Sequence, residues 1–206
     1  MHITYQTIYI QPFIFGVSVV TTLRLTHAPI LNSSAQVLIL PVNNAGVLLD
    51  PILMRTKTLY PDNYQRYLRA CRDSSLKVGS CLLHKRLRES AGLGISSNGN
   101  QPSYVANLII SDHPYHPVRS QWLTAALIDL RQQLIPLIRY QGIRRIALLA
   151  RPLLFTHSQR HTDNEPPTSN MTILDWDTET LPLLTQYLQD IPKVRIDIHL
   201  PKSITV

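Results

Sequence analysis

The sequence predicts an α/β fold in three layers, a mixed sheet with helices on both faces. Two observations carry this. Strand-like and helix-like segments alternate along most of the chain, and several strand-like segments are apolar, residues 37–41 throughout and residues 104–110 but for Asn107, the pattern of strands covered on both sides. Ligands of such sheets bind where strands end, at their carboxyl edge.

In order, residues 3–10 are rich in Ile, Tyr and Thr, and residues 17–25 follow after Pro12 and Gly16, so two opening strands are expected. Residues 37–41 form a buried strand that stops in a loop, Val42-Asn43-Asn44-Ala45-Gly46. Helical spacing then runs from Leu53 to Cys71, broken at Tyr60-Pro61-Asp62, where Asp62 is placed to cap a second helix. Residues 80–84 and 104–110 read as strands on either side of a Gly, Ser and Asn cluster. The surest helix carries Trp122, Leu123, Ala126, Leu127, Leu130, Leu134, Leu137 and Ile138 and ends at Gly142, a suitable C-terminal cap. A strand over 143–149, a helix over 181–188 with Pro182 in its first turn, and a strand over 194–200 complete the pattern. Residues 151–172 form a long irregular insertion with prolines and no glycine. One domain spanning 1–206 is expected, with residues 1–16 as an extra N-terminal strand.

The 206 residues suffice for an ordinary core, and 44% hydrophobic against 16% charged residues exclude a disordered chain. A net charge of +7 suits polyanions such as nucleic acid or nucleotide phosphates, and serves solubility equally well. Cys71 and Cys81 have no spacing that suggests a disulfide or zinc framework. Residues 13–20 are apolar but too short to span a bilayer, so no membrane association and a cytoplasmic location are expected. No P-loop, dinucleotide fingerprint, nucleophile elbow or paired-His zinc motif is present.

Several motifs in sequence order carry a resemblance. Ala35-Gln36-Val37-Leu38 leads to Val42-Asn43-Asn44-Ala45-Gly46-Val47, followed by Tyr60-Pro61-Asp62-Asn63-Tyr64, Leu76-Lys77-Val78-Gly79 and Leu174-Asp175-Trp176. Together they resemble the macro domain, the ADP-ribose-binding fold, and within it the branch of DNA ADP-ribosyl glycohydrolases of the DarG type. The resemblance implies that Asn43 reaches a ribose and that the loop Asn44, Ala45, Gly46 and Val47, with Ser111 opposite, meets the ligand. An amide supplies both donor and acceptor to sugar hydroxyls. As a residue read by itself, Asn43 could equally be a turn former bonded to its own backbone.

The departures from that family are specific. Leu49 and Pro51 stand where glycines would let backbone approach a diphosphate, and Pro51 has no N–H to offer. The glycine-rich second phosphate loop is replaced by the 151–172 insertion. Ser111 stands where a catalytic lysine is implied, and His27-Ala28-Pro29-Ile30 offers no carboxylate for an adenine. The resemblance thus implies a degenerate member, a pseudoenzyme that binds an ADP-ribose-like nucleotide or ADP-ribosylated nucleic acid without hydrolysis and without cofactor, in a toxin-antitoxin or phage-defence setting. Two alternatives stand beside it. One is an active hydrolase in which Asp112, Asp50 or a residue of the insertion replaces the lysine; Asp175 reads as a helix cap. The other is a scaffold binding nucleic acid or protein.

For nucleic acid the candidates are Arg66, Arg69 and Arg72, three residues apart on one helix, with Lys85, Arg86 and Arg88, and with Tyr64 and Tyr67 as stacking partners. A solvated helix face explains the arginines as well. His113 and His116, and His157 and His161, have ligand-like spacing but no third ligand, so no metal site is expected.

Overall fold

The computed structural model describes residues 7–8, 21–86, 101–154, 174–202 and 204. Its strands are β1 (Thr7–Ile8), β2 (Thr22–Thr26), β3 (Val37–Asn43), β4 (Cys81–Lys85), β5 (Tyr104–Ser111), β6 (Arg145–Leu149) and β7 (Arg195–His199). They form one sheet in the order β1-β2-β7-β6-β3-β5-β4. The five central strands are mutually parallel, while β1 and β4 pair antiparallel at the edges. A mixed sheet results. Of the expected opening strands, the described part is β1 and β2; the other residues of 3–10 and 17–20 lie outside the described set.

Helices α1 (Pro51–Leu59) and α2 (Pro61–Arg72) cover one face, and α3 (Ser120–Tyr140) and α4 (Leu181–Leu188) the other. The reason is visible in β3 and β5, every residue of which is buried. Leu38, Leu40 and Val42 point to α1 and α2, while Val37 and Ile39 point to α3 and its neighbours, the two-residue period of a strand sandwiched between layers. On α3, Leu123, Leu127, Leu130, Leu134 and Ile138 are at most 3% exposed, and each such side chain contributes about 1.5–3 kcal/mol through burial. Pro136 removes one intrahelical donor, and it does so on the exposed face, where solvent can serve the freed carbonyl. Gly142, at φ +67°, follows the C-terminal Gln141 in the left-handed conformation expected of a terminator.

One assignment differs from expectation, and two expected elements, the 181–188 helix with Pro182 in its first turn and the stretch after Leu149, carry detail the sequence did not announce. Asp62 is not the cap of α2. Tyr60 occupies that position, and the Asp62 carboxylate, in the first turn, reaches across to His84 Nε2 on β4 at 3.0 Å. Pro61 takes the first helical position, where a missing N–H costs nothing. The last helix is entered through a π turn, Trp176–Thr180, so Pro182 sits where that turn gives way to α4, and Asp175 accepts from the Thr178 N–H at 2.8 Å as a true N-cap. The start of the 151–172 insertion is a 3₁₀ turn, Arg151–Leu154; residues 155–173 lie outside the described set.

Candidate functional site

At the carboxyl ends of β3 and β5 the parallel register slips by one residue, pairing Val42 with Ile109 and Asn43 with Ser111. This bulge leaves Ile110 as the extra residue and brings Asn43 opposite Ser111 at the point where both strands stop. Bulges commonly redirect side chains beside sites in this way. The Asn44 N–H donates to the Ser111 carbonyl at 3.0 Å and extends the ladder one step beyond the strand.

The loop that follows is held from two sides. The Asn43 amide donates from Nδ2 to the Val47 carbonyl at 2.6 Å and accepts from the Val47 N–H at 3.3 Å. From beneath, the Tyr67 hydroxyl of α2 donates to the Asn43 carbonyl at 2.5 Å and accepts from the Gly46 N–H. Burial pushes the Tyr67 hydroxyl well above its ordinary pKa, so it remains a donor at any working pH. Gly46 has φ +76°, and a Cβ there would stand 3.1 Å from the Leu68 side chain, so glycine is required on both conformational and steric grounds. The loop is therefore rigid before any ligand arrives. Asn43 keeps one N–H and one lone pair uncommitted to these bonds.

Beside the loop lies a crevice of about 80 Å³ lined by Asn43, Val47, Leu49, Asp50, Ser111 and His116 together with Pro114, Pro117 and Pro152. Pockets that enclose a whole small ligand run roughly 300–1,000 Å³. This one has room for a single end of a nucleotide. Leu49, 47% exposed, forms part of its rim, and it has no positive φ, so the chain follows a path that any residue adopts.

The acidic candidates have structural duties. Asp50 caps α1, accepting from the N–H groups of Ile52 and Leu53 at 2.8 and 3.2 Å, and its other oxygen lies 2.8 Å from Arg151 Nε. Asp112 is exposed and meets His116 Nδ1 at 2.8 Å. Its partial burial works against ionisation, but the His116 hydrogen bond and charge together with backbone N–H groups of the turn outweigh this and hold the carboxyl below its usual pKa. Of the residues expected to contact a ligand, Asn43, Val47 and Ser111 line the crevice, whereas Asn44, Ala45 and Gly46 shape the loop without lining it.

Two nucleic-acid candidates are corrected. Arg86 is 9% exposed and packed inward. Its guanidinium stacks 4.4 Å from the Tyr60 ring, lies 3.9 Å from Asp62 and donates to Gln101 Oε1 and the Pro102 carbonyl. Tyr67 is 1% exposed and has no face for a base. Arg66, Arg69, Arg72 and Lys85 are exposed, and Arg88 lies outside the described residues. Among the described residues no group of His, Cys, Asp or Glu has metal-binding geometry; His157 and His161 are not among them. Sequence reading named Tyr67 only as a base-stacking candidate and His116 only for its metal-like spacing, and it missed Arg151, whose partner Asp50 no local motif announces.

No protein-family model matches the chain. The fold, however, is that of a macrodomain: the sheet and helices superpose on the macrodomain of Thermus aquaticus DarG with a TM-score of 0.64 at 23% identity, covering 88% of this chain and 99% of that one. Those of Mycobacterium tuberculosis DarG and of Thermosipho africanus DarTG in complex with ADP-ribose follow, each with a TM-score of 0.62 at 21% identity, covering 87% and 89% of this chain and 98% and 43% of theirs. Among macrodomain proteins the chain resembles the DarG type in sequence as well. It is 28% identical over 126 residues to a DNA ADP-ribosyl glycohydrolase of Thermus aquaticus, a match that takes in 61% of this chain and 31% of that protein's length. No helix among the described residues is long and apolar enough to cross a membrane.

Proposed function

We propose that the chain binds an ADP-ribose-like nucleotide, free or carried on nucleic acid, by placing one ribose end in the Asn43 crevice, and that it does so without hydrolysis. The observation that carries this is the bulged meeting of Asn43 and Ser111 at the strand ends, with a loop already braced by Tyr67. The DarG-type likeness supports the choice of ligand, and the net charge of +7 suits a diphosphate. Arg151 takes on the role that glycine N–H groups would have had: Asp50 holds its Nε, and its outer N–H groups are left to meet phosphate oxygens at the rim. Ser111, with no ammonium, cannot supply the charge a lysine would.

Titration calorimetry with ADP-ribose tests the reading. Saturable heat with a dissociation constant on the order of 1 mM or tighter, about −4 kcal/mol or better, is expected; no heat at several millimolar ligand rejects it.

One observation favours a second reading, hydrolysis. His116 lines the crevice, and Asp112 fixes its Nδ1 as the protonated nitrogen, which leaves Nε2 as a base that could take a proton from water. Release of ADP-ribose from modified DNA, lost in His116→Ala, would support it. No release above buffer leaves binding alone.

A further inference from the structure

The sheet face that is apolar under α1 and α2 changes character over β7 and β2. There it presents Arg24 and Thr26 from β2 and Arg195, Asp197 and His199 from β7, with Arg24 opposite Asp197 and Thr26 opposite His199. Their neighbours on the strands, Leu23, Leu25, Ile196 and Ile198, serve the opposite core, so the alternation is strict and the polar side chains have no choice of direction. The segment between β2 and β3, with its 3₁₀ turn at Ile30–Asn32, closes over them and leaves a cavity of about 300 Å³. It shares no lining residue with the Asn43 crevice.

This is not an ordinary solvated face. Thr26 and His199 are 8% and 5% exposed. His199 Nδ1 lies 2.8 Å from the Ala28 carbonyl, and since a carbonyl only accepts, the proton is on Nδ1. Burial, which outweighs that bond and the Asp197 charge, keeps the imidazole below its ordinary pKa and therefore neutral near pH 7. Nε2 is then a lone pair, buried and without a hydrogen-bond partner among the described residues. Asp197 Oδ1 is a second buried acceptor without a hydrogen bond among the described residues; Arg24 Nε lies 3.7 Å from it. Arg195 Nε is a buried donor, 3.2 Å from Asp197 Oδ2 but outside hydrogen-bond geometry.

The unmet needs are thus two acceptors and one donor, on a patch whose two arginines already share one carboxylate. A phosphate or carboxylate brings lone pairs against His199 and Asp197. An ammonium brings only protons against Arg195. Hydroxyl groups both donate and accept, and a pair of adjacent ones can donate to Asp197 and His199, two residues apart on one strand, while accepting from Arg195. The cavity volume sits at the lower end of the range for small-ligand pockets, large enough for one sugar ring.

We propose that this cavity is a second binding site, and that it takes a neutral sugar through a vicinal diol. The inference stands independently of what the Asn43 crevice binds.

Residue-resolved NMR of the whole chain tests it, with methyl β-D-ribofuranoside as probe and its 2-deoxy analogue, which lacks the vicinal diol, as comparison. The expected result is saturable shifts at Thr26, Asp197 and the His199 imidazole at millimolar probe, at least fivefold weaker with the deoxy analogue, and lost in Asp197→Asn. Equal response to both sugars, no response to either, or shifts at these residues with inorganic phosphate instead would overturn the proposal. Because the sugar comparison is made on the unmodified chain, a folding defect in Asp197→Asn does not remove the test.

Discussion

The hydroxyl of Tyr67 makes two bonds, to the Asn43 carbonyl and from the Gly46 N–H, from a position that is 1% exposed. Removing it leaves a buried donor and a buried acceptor without partners, at a cost of roughly 1–3 kcal/mol for such groups. Tyr67→Phe is therefore expected to lower the unfolding free energy by about that amount and to loosen the crevice loop, seen as faster amide exchange at Gly46 and Val47. An unchanged denaturation midpoint would show that the loop does not depend on the hydroxyl. Leu49 supplies the converse experiment. It is half exposed, lines the crevice and has ordinary backbone angles, so Leu49→Gly widens the mouth without relieving any strain. ADP-ribose affinity should rise roughly three- to tenfold, about 0.7–1.4 kcal/mol; a loss of affinity would mean that Leu49 packs against the ligand.

Among the elements, the way α2 is fastened to β4 and β5 decides how the crevice is supported from below. Asp62 meets His84 at 3.0 Å, and one turn position along, Asn63 and Asn107 exchange amide hydrogen bonds at 3.2 and 2.8 Å. Burial opposes ionisation of Asp62, yet the His84 bond, the Asn63 N–H and the charges of Arg86 and His84 together prevail and hold its carboxyl below the usual range. Asp62→Asn keeps the shape and removes the charge; it is expected to lower the melting temperature at pH 7, with an effect that shrinks as pH falls through the lowered carboxylate range, where the wild-type group is itself being protonated. An effect that stays constant as pH falls through that range would remove the ion pair from the account.

These fastenings also mark the limit of what sequence could show. The apolar runs within β3 and β5, the Leu123 to Ile138 stripe, Gly142 as terminator and the Asn43 loop are local patterns, and each was legible because its physics lies within a few neighbouring residues. Asp62 with His84, Tyr67 with Asn43 and Asn63 with Asn107 join residues 22, 24 and 44 positions apart. Nothing near Asp62 announces a buried partner, so capping was the natural local reading. Arg86 looked like surface charge for the same reason. Asp112 was picked out by its place after β5, but its pairing with His116 depends on the turn between them, closed by the His116 N–H on the His113 carbonyl at 3.1 Å.

Taken as a whole, the molecule is apolar at its centre and polar at one end of the sheet, and this asymmetry makes its stability depend on pH. His199 has its folded pKa lowered, chiefly by burial. A histidine so shifted contributes its full stability above the unfolded value of about 6.5 and loses it as pH falls toward the folded pKa. Asp62, also lowered, adds a second loss that begins only as pH falls below about 3.8. Melting temperature should therefore decline from pH 7 to pH 5, and His199→Gln should flatten that part of the profile while leaving the steeper acid limb. A wild-type profile level from pH 7 to pH 5 would contradict the buried, neutral imidazole.

The central claim is that a macrodomain lacking its phosphate-loop glycines keeps a working strand-end crevice. The most direct measurement is a chemical-shift titration of the whole chain with ADP-ribose, read residue by residue. Saturable shifts concentrated at Asn43, Gly46, Val47 and Ser111, with Arg151 following, are the predicted result. Shifts confined to the exposed arginines of α2, or none at several millimolar ligand, would contradict it.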